Sequence, residues 1–187
     1  MISNKPSNLV GKHATLSPSA YHWLDYDEDK LRRVFFQQQQ TRRGNELHDY
    51  AQRAITLGIR QADNGSTLSS YINDCIGFRM TPEFPLYYSD DCFGTSDAVG
   101  FSSKGVLRIA DLKTGITEAS MKQPMIYAAL FCLQFQYLPS DIIIILRIYQ
   151  NEAIEELVAD PLDILMVMDK IRHASAYIAH LREEVED

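Results

Sequence analysis

The sequence predicts an α/β (α+β) fold, a sheet flanked by helices, and three stretches carry that expectation. Phe93 to Gly115 reads as two strands joined by the tight turn Ser103-Lys104-Gly105. Leu68, Tyr71, Ile72, Cys75 and Ile76 recur at helical spacing and form the cleanest amphipathic helix in the chain. A segment opening at Gln123-Pro124 carries Ala128, Leu130, Phe131, Cys132 and Leu133 and is apolar nearly all round, as suits a helix pressed against a sheet.

Taken in order, Ser17-Pro18-Ser19 caps a first helical stretch holding Tyr21, Trp23, Leu24, Leu31, Val34, Phe35 and Phe36. It is expected to break around Asp25 to Glu28, resume, and end near Gln37 to Gln40, with Trp23 and the paired phenylalanines in the core. Gly44-Asn45 starts a second helix with Leu47, Ala51, Ala54, Ile55 and Leu57 roughly in phase. The turn signal Asp63-Asn64-Gly65 leads into the amphipathic helix, where Cys75 reads as a small core residue. Pro82-Glu83-Phe84-Pro85 begins an extended segment and Leu86-Tyr87-Tyr88 an outer strand. Glu83 is within reach of the hairpin but is expected at a solvated strand end. Thr114-Gly115 closes the hairpin, and Pro124 is expected at the first position of its helix. Asp141 to Tyr149 is a further strand, Ala153 to Val158 a shorter one. Asp160-Pro161 caps a last helix whose seam, Ile164 through Leu181, needs a groove to cover it. No repeat or boundary interrupts this pattern. One domain over residues 1–187 is expected, with helices at 17–80 and 161–184 packed on the core.

The hairpin gathers the chemistry. A three-residue loop commonly ends on a glycine in the left-handed conformation, the place Gly105 occupies. Ser102 then faces Val106, and counting outward sets Asp97 opposite Asp111. Directly opposed residues have Cβ atoms about 4.5–5.5 Å apart. Two carboxylates that close repel unless a cation lies between them or one takes a proton. Lys113 returns to the same face as Asp111 two residues later. An Asp-x-Lys on a strand ordinarily marks a solvated edge. Here both faces of the strand are mostly apolar, so its charges need a partner or a metal.

Composition bounds the rest. At 187 residues the chain can bury a sizeable core, and 45% hydrophobic with 23% charged residues is ordinary for a globular protein. Met1 to Leu16 is polar, without the features of a secretory signal, and Ile142 to Leu146 is too short to span a bilayer, so no membrane partner is expected. Cys75, Cys92 and Cys132 are odd in number and far apart, which favours a reducing compartment and argues against a cysteine zinc site or iron–sulfur cluster. The net charge of −7 weighs against nucleic acid, although bound divalent cations would cancel part of it. Basic residues still cluster at Lys30 to Arg33, Arg42-Arg43 and Lys104 to Lys113, while acid gathers at Glu152 to Glu156 and Glu183 to Asp187. A lone histidine is ordinarily without chemistry, and that reading holds for His13, His22, His173 and His180.

His48 stands apart because of the series it begins. Arg43-Gly44-Asn45-Glu46-Leu47-His48 is followed by Gly94-Thr95-Ser96-Asp97, Asp111-Leu112-Lys113 and Gln123-Pro124-Met125-Ile126-Tyr127. In that order these resemble the RecB-like branch of the PD-(D/E)XK nuclease superfamily: a helical His, G-x-x-D, D-x-K, then Q-x-x-x-Y. The match covers roughly Ser17 to Tyr149, and its closest look is of stand-alone, phage-type exonuclease modules. The resemblance implies a restriction-endonuclease-like core with a central mixed sheet. It implies a divalent-metal-dependent DNA nuclease, more an exonuclease than an endonuclease, working in recombination or repair in the cytoplasm of a bacterial or phage-infected cell. His48, Asp97, Asp111 and the Leu112 carbonyl would hold Mg²⁺ or Mn²⁺, the imidazole favouring Mn²⁺ somewhat. Asp97, Asp111 and Lys113 would act on the phosphate, with Gln123 and Tyr127 orienting Lys113 or the DNA backbone. The iron–sulfur cluster of several relatives is not expected. DNA is the implied partner, and a recombination or single-strand-annealing protein and a homo-oligomer are compatible with it. Two other readings stand beside this one. One is a non-catalytic binding or inhibitor protein on a nuclease scaffold, the other an interaction module whose carboxylates pair with Arg108 or Lys113.

Overall fold

The computed structural model describes residues 14–186; His13, Asp187 and most of the polar stretch before Leu16 lie outside them. The chain divides into two compact units between Glu46 and Leu47. In the first, a 3-10 helix (Pro18–Asp25) follows Ser17, whose carbonyl accepts from Trp23 Nε1 at 2.9 Å, and no residue of that helix is buried. Helix α1 (Glu28–Leu57) runs through the division without a break. The expected end at the glutamines and restart at Gly44 are therefore corrected. Glutamine is a good helix former, one glycine costs only about 1 kcal/mol against alanine, and the Arg42–Glu46 pair at 3.0 Å bridges that turn. Phe35 and Phe36 are 46% and 52% exposed, so they are not core residues, and Trp23 is half-buried.

The second unit is α+β, with a five-stranded mixed sheet in the order β1 (Thr81–Ser89), β2 (Cys92–Phe101), β3 (Val106–Leu112), β4 (Ile143–Gln150) and β5 (Ala153–Val158). All neighbours are antiparallel except β3 and β4. Parallel strands need a crossover, and α3 (Lys122–Phe135) supplies it. Pro124 is the third residue of α3, not the first, which is equally tolerable because the first four helical amides lack intrahelical partners. Helix α2 (Thr67–Gly77) is capped by Ser66, whose hydroxyl accepts from the Ser69 amide, and buries Tyr71, Ile72 and Cys75 as the periodicity predicts. The hairpin turn also closes as expected: Gly105 has φ +72°, and the Ser102 amide donates to Val106 O at 3.0 Å.

Each sheet face has its own core. Leu86, Val99, Leu107, Ile109 and Leu146 pack with Ala128 to Cys132 of α3 and with Ile164, Met168 and Ile171 of α4 (Pro161–Glu186). Ala98, Ala110, Leu112 and Tyr149 pack on the other side with Ala51, Ala54 and Ile55 of α1 and Tyr71, Ile72 and Cys75 of α2. Covered on both faces, β3 becomes the most enclosed place in the sheet to put a charge. Strand β5, by contrast, is exposed along its whole length. Among the described residues no helix is long and apolar enough to cross a membrane.

Candidate metal centre

The site is built by register. Strands β2 and β3 pair as Ala98↔Ala110 and Val99↔Ile109, the register the turn predicts, so one step on Asp97 is level with Asp111. On the other side Pro82↔Ala98 and Phe84↔Ser96 bracket Glu83 level with Asp97. Carboxylates of three adjacent strands thus stand in one row. The alternation of the pleat slips within that row. Gly94 lies against Tyr127 of α3 and Val99, five residues on, packs on the same side, whereas strict alternation would set them on opposite faces. Glu83 carries the matching irregularity, a left-handed φ of +49° that costs a non-glycine residue about 1–3 kcal/mol.

The slip brings Asp97 to α1. His48 shares its helical stripe with buried Ala51 and Ile55, and its Nδ1 lies 3.6 Å from Asp97 Oδ1. One ligand atom each from His48, Glu83 and Asp97 lies within 4.8 Å of the others. Glu83 is thus half-buried in this cluster, not at a solvated strand end. The second Asp97 oxygen accepts from the Leu112 amide at 2.8 Å. Burial pushes the Asp97 carboxyl up to about 6; His48 opposes the shift, Asp111 adds to it, and the Leu112 amide and Lys113 oppose it. Cys75 is fully buried behind the cluster and outside the ligand group, as a core residue should be.

Asp111 is 2% exposed, and its Oδ2 lies 3.0 Å from Lys113 Nζ yet accepts no hydrogen bond. A buried carboxylate oxygen without a hydrogen bond is costly unless a cation meets it. Lys113 Nζ donates instead to Gln123 Oε1 at 2.7 Å, and Gln123 Nε2 donates to Tyr127 Oη at 3.3 Å. The four-residue spacing stacks Gln123 and Tyr127 on one side of α3. Gly94 makes room for the tyrosine: a Cβ there would lie 3.3 Å from Tyr127 Cε1. The Lys113 amide donates to Tyr149 O at 2.9 Å, which fixes the end of β3 to β4.

The predicted residues therefore assemble as two adjoining groups. His48 and Asp97 come together and recruit Glu83. Asp111, Lys113, Gln123 and Tyr127 form a chain from the sheet to α3, and Leu112 joins the groups through its amide. Asp111 is not one of the three residues whose ligand atoms lie within mutual 4.8 Å reach. Counting from the β1–β2 turn would not have found Glu83, because the pairing shifts register between Tyr87 and Ser89 and only then sets Glu83 beside Asp97. Two carboxylates and an imidazole within mutual reach, with the Asp111 carboxylate in the adjoining group, are donors able to hold a metal ion. Arg108 pairs with no carboxylate among the described residues; its guanidinium lies over the Phe78 ring at 4.4 Å. Comparison of the chain with protein-family models, with curated proteins and with solved structures finds no match.

Proposed function

We propose that this chain is a divalent-metal-dependent DNA nuclease of the PD-(D/E)XK, RecB-like kind, acting as an exonuclease in recombination or repair. The observation that carries the reading is the row Glu83–Asp97–Asp111 with His48 above it and the Lys113 ammonium beside it. Burial raises the Asp97 carboxyl and the neighbouring Asp111 adds to it, so a bound cation would favour the ionised form there. His48, Glu83 and Asp97 would hold the ion, with Asp111 and the Leu112 carbonyl completing its surroundings. Bound there, Mg²⁺ or Mn²⁺ supplies a water of lowered pKa and positive charge against a phosphate. Lys113 holds a cation where charge develops on the phosphate. Gln123 accepts one of its hydrogens, and Tyr127 fixes which way the Gln123 amide faces. The half-buried Arg108, without an acidic partner, adds a cation for a nucleic-acid backbone.

A second reading, a binding or inhibitor protein on the same scaffold, is favoured by the existing Asp111–Lys113 pair and by the net charge of −7. Hydrolysis of end-labelled linear and closed circular DNA with Mg²⁺, Mn²⁺ or chelator separates the two. The nuclease reading expects metal-dependent loss of linear DNA only, abolished by Asp111→Ala and by chelator. DNA left intact by a chain that still binds metal would leave the second reading standing.

A further inference from the structure

The seam of α4 is covered for only part of its length. Ile164, Met168 and Ile171 are in the core, but Ile178 and Leu181 are 36% and 37% exposed. Beside them an apolar groove opens between α3 and α4, lined by Met125, Ile126, Val167, Ile171 and Ile178. Its acidic neighbour Asp91 is neutralised by Arg182. The charges left at its rim are Lys122 and Lys170, which make no ion pair among the described residues. The groove thus offers apolar surface and positive charge in a protein that is acidic as a whole.

We infer that the occupant is the same helix of a second copy, giving a two-fold dimer through antiparallel α4 helices. Val167, Ile171, Ala174, Ile178 and Leu181 are spaced by four, three, four and three residues, the heptad seam of paired helices. One antiparallel register satisfies both shape and charge. Leu181 of the second copy comes over Ile171, the nearly buried floor of the groove, and the small exposed Ala174 faces Ile178 of the second copy. The same register sets Lys170 beside Glu184 of the second copy, and symmetry makes this ion pair twice. Among the described residues Glu184 pairs only with the exposed His180 of its own helix, at 3.3 Å. Met125 and Ile126 of α3 then flank the incoming Ile178 and Leu181.

Sedimentation equilibrium of the full chain tests this without reference to nuclease activity. The mass of two chains is expected, and Ile178→Glu, at an exposed position, is expected to give one chain with an unchanged circular dichroism spectrum. Lys170→Glu or Glu184→Lys alone should weaken the dimer by ~10-fold or more, equivalent to about 1.4 kcal/mol, and the two together should restore it. A single-chain mass at every concentration overturns the inference. So does a dimer indifferent to Ile178→Glu, or one that the double charge swap fails to restore.

Discussion

The two halves of the site solve the same electrostatic difficulty in different ways. On the α3 side, Asp111 is almost wholly buried but has Lys113 at 3.0 Å, which in turn is held by Gln123 and Tyr127. On the α1 side, Asp97 and Glu83 share one imidazole, that of His48, and burial raises the Asp97 carboxyl to about 6. The first half carries its own counter-charge; the second does not. A protein that keeps the second arrangement holds two carboxylates close together, a repulsion that an added cation would relieve. On the proposed nuclease reading, metal retention would fall to the α1 side and action on the phosphate to the α3 side.

The largest expected effect separates these roles directly. Asp97→Ala should remove both Mn²⁺ binding, read by calorimetry, and DNA hydrolysis. Lys113→Ala should lower hydrolysis by ~10²–10³-fold while Mn²⁺ still binds. Loss of metal binding in Lys113→Ala would dissolve the distinction between the halves.

Acidity sharpens it next. Because the folded Asp97 carboxyl lies at about 6, above its ordinary 3.8, protonation favours the folded chain. The metal-free protein is then most stabilised by this group below pH ~4 and loses on the order of 3 kcal/mol as pH rises through about 6. Urea unfolding with chelator should show that fall, and Asp97→Asn should flatten it. Saturating Mn²⁺ should reverse the trend, since the ion binds the deprotonated carboxylate; at a hundred times Kd it adds about 2.7 kcal/mol.

Glu83→Gly probes the strain. Glycine adopts the +49° φ freely, so the metal-free protein should gain about 1 kcal/mol while Mn²⁺ affinity falls. A variant that loses stability would show that Glu83 is held by more than the ion. The smallest effect belongs to Gly94→Ala. Its Cβ would press on Tyr127 at 3.3 Å, so hydrolysis should drop several-fold through displacement of the Tyr127–Gln123–Lys113 chain, with Mn²⁺ affinity unchanged.

Much of this was legible where local chemistry decides conformation. Gly105 selects the turn, the turn selects the register, and the register places Asp97 level with Asp111. Helix α2 was readable from the spacing of its buried residues, and α3 from its being apolar nearly all round. The sequence misleads where local signals conflict. Gly44 and the glutamines suggest a boundary, but the intrinsic cost of one glycine is too small to stop a 30-residue helix. Glu83 was hidden for another reason. Its flanking prolines announce an extended edge, while the left-handed turn that brings its carboxylate to Asp97 depends on pairing with a distant strand.

The outermost strand carries a consequence for how copies of this chain can meet. β5 ends the sheet with an unpaired edge, the usual invitation to open-ended growth of strand upon strand. A second β5 laid antiparallel across its centre would set Glu155 against Glu156 of the incoming copy, two carboxylates of which only Glu156 has a basic partner, Arg147, among the described residues. Replacing both with threonine should raise association between copies, read by light scattering, because acid at that border opposes strand upon strand.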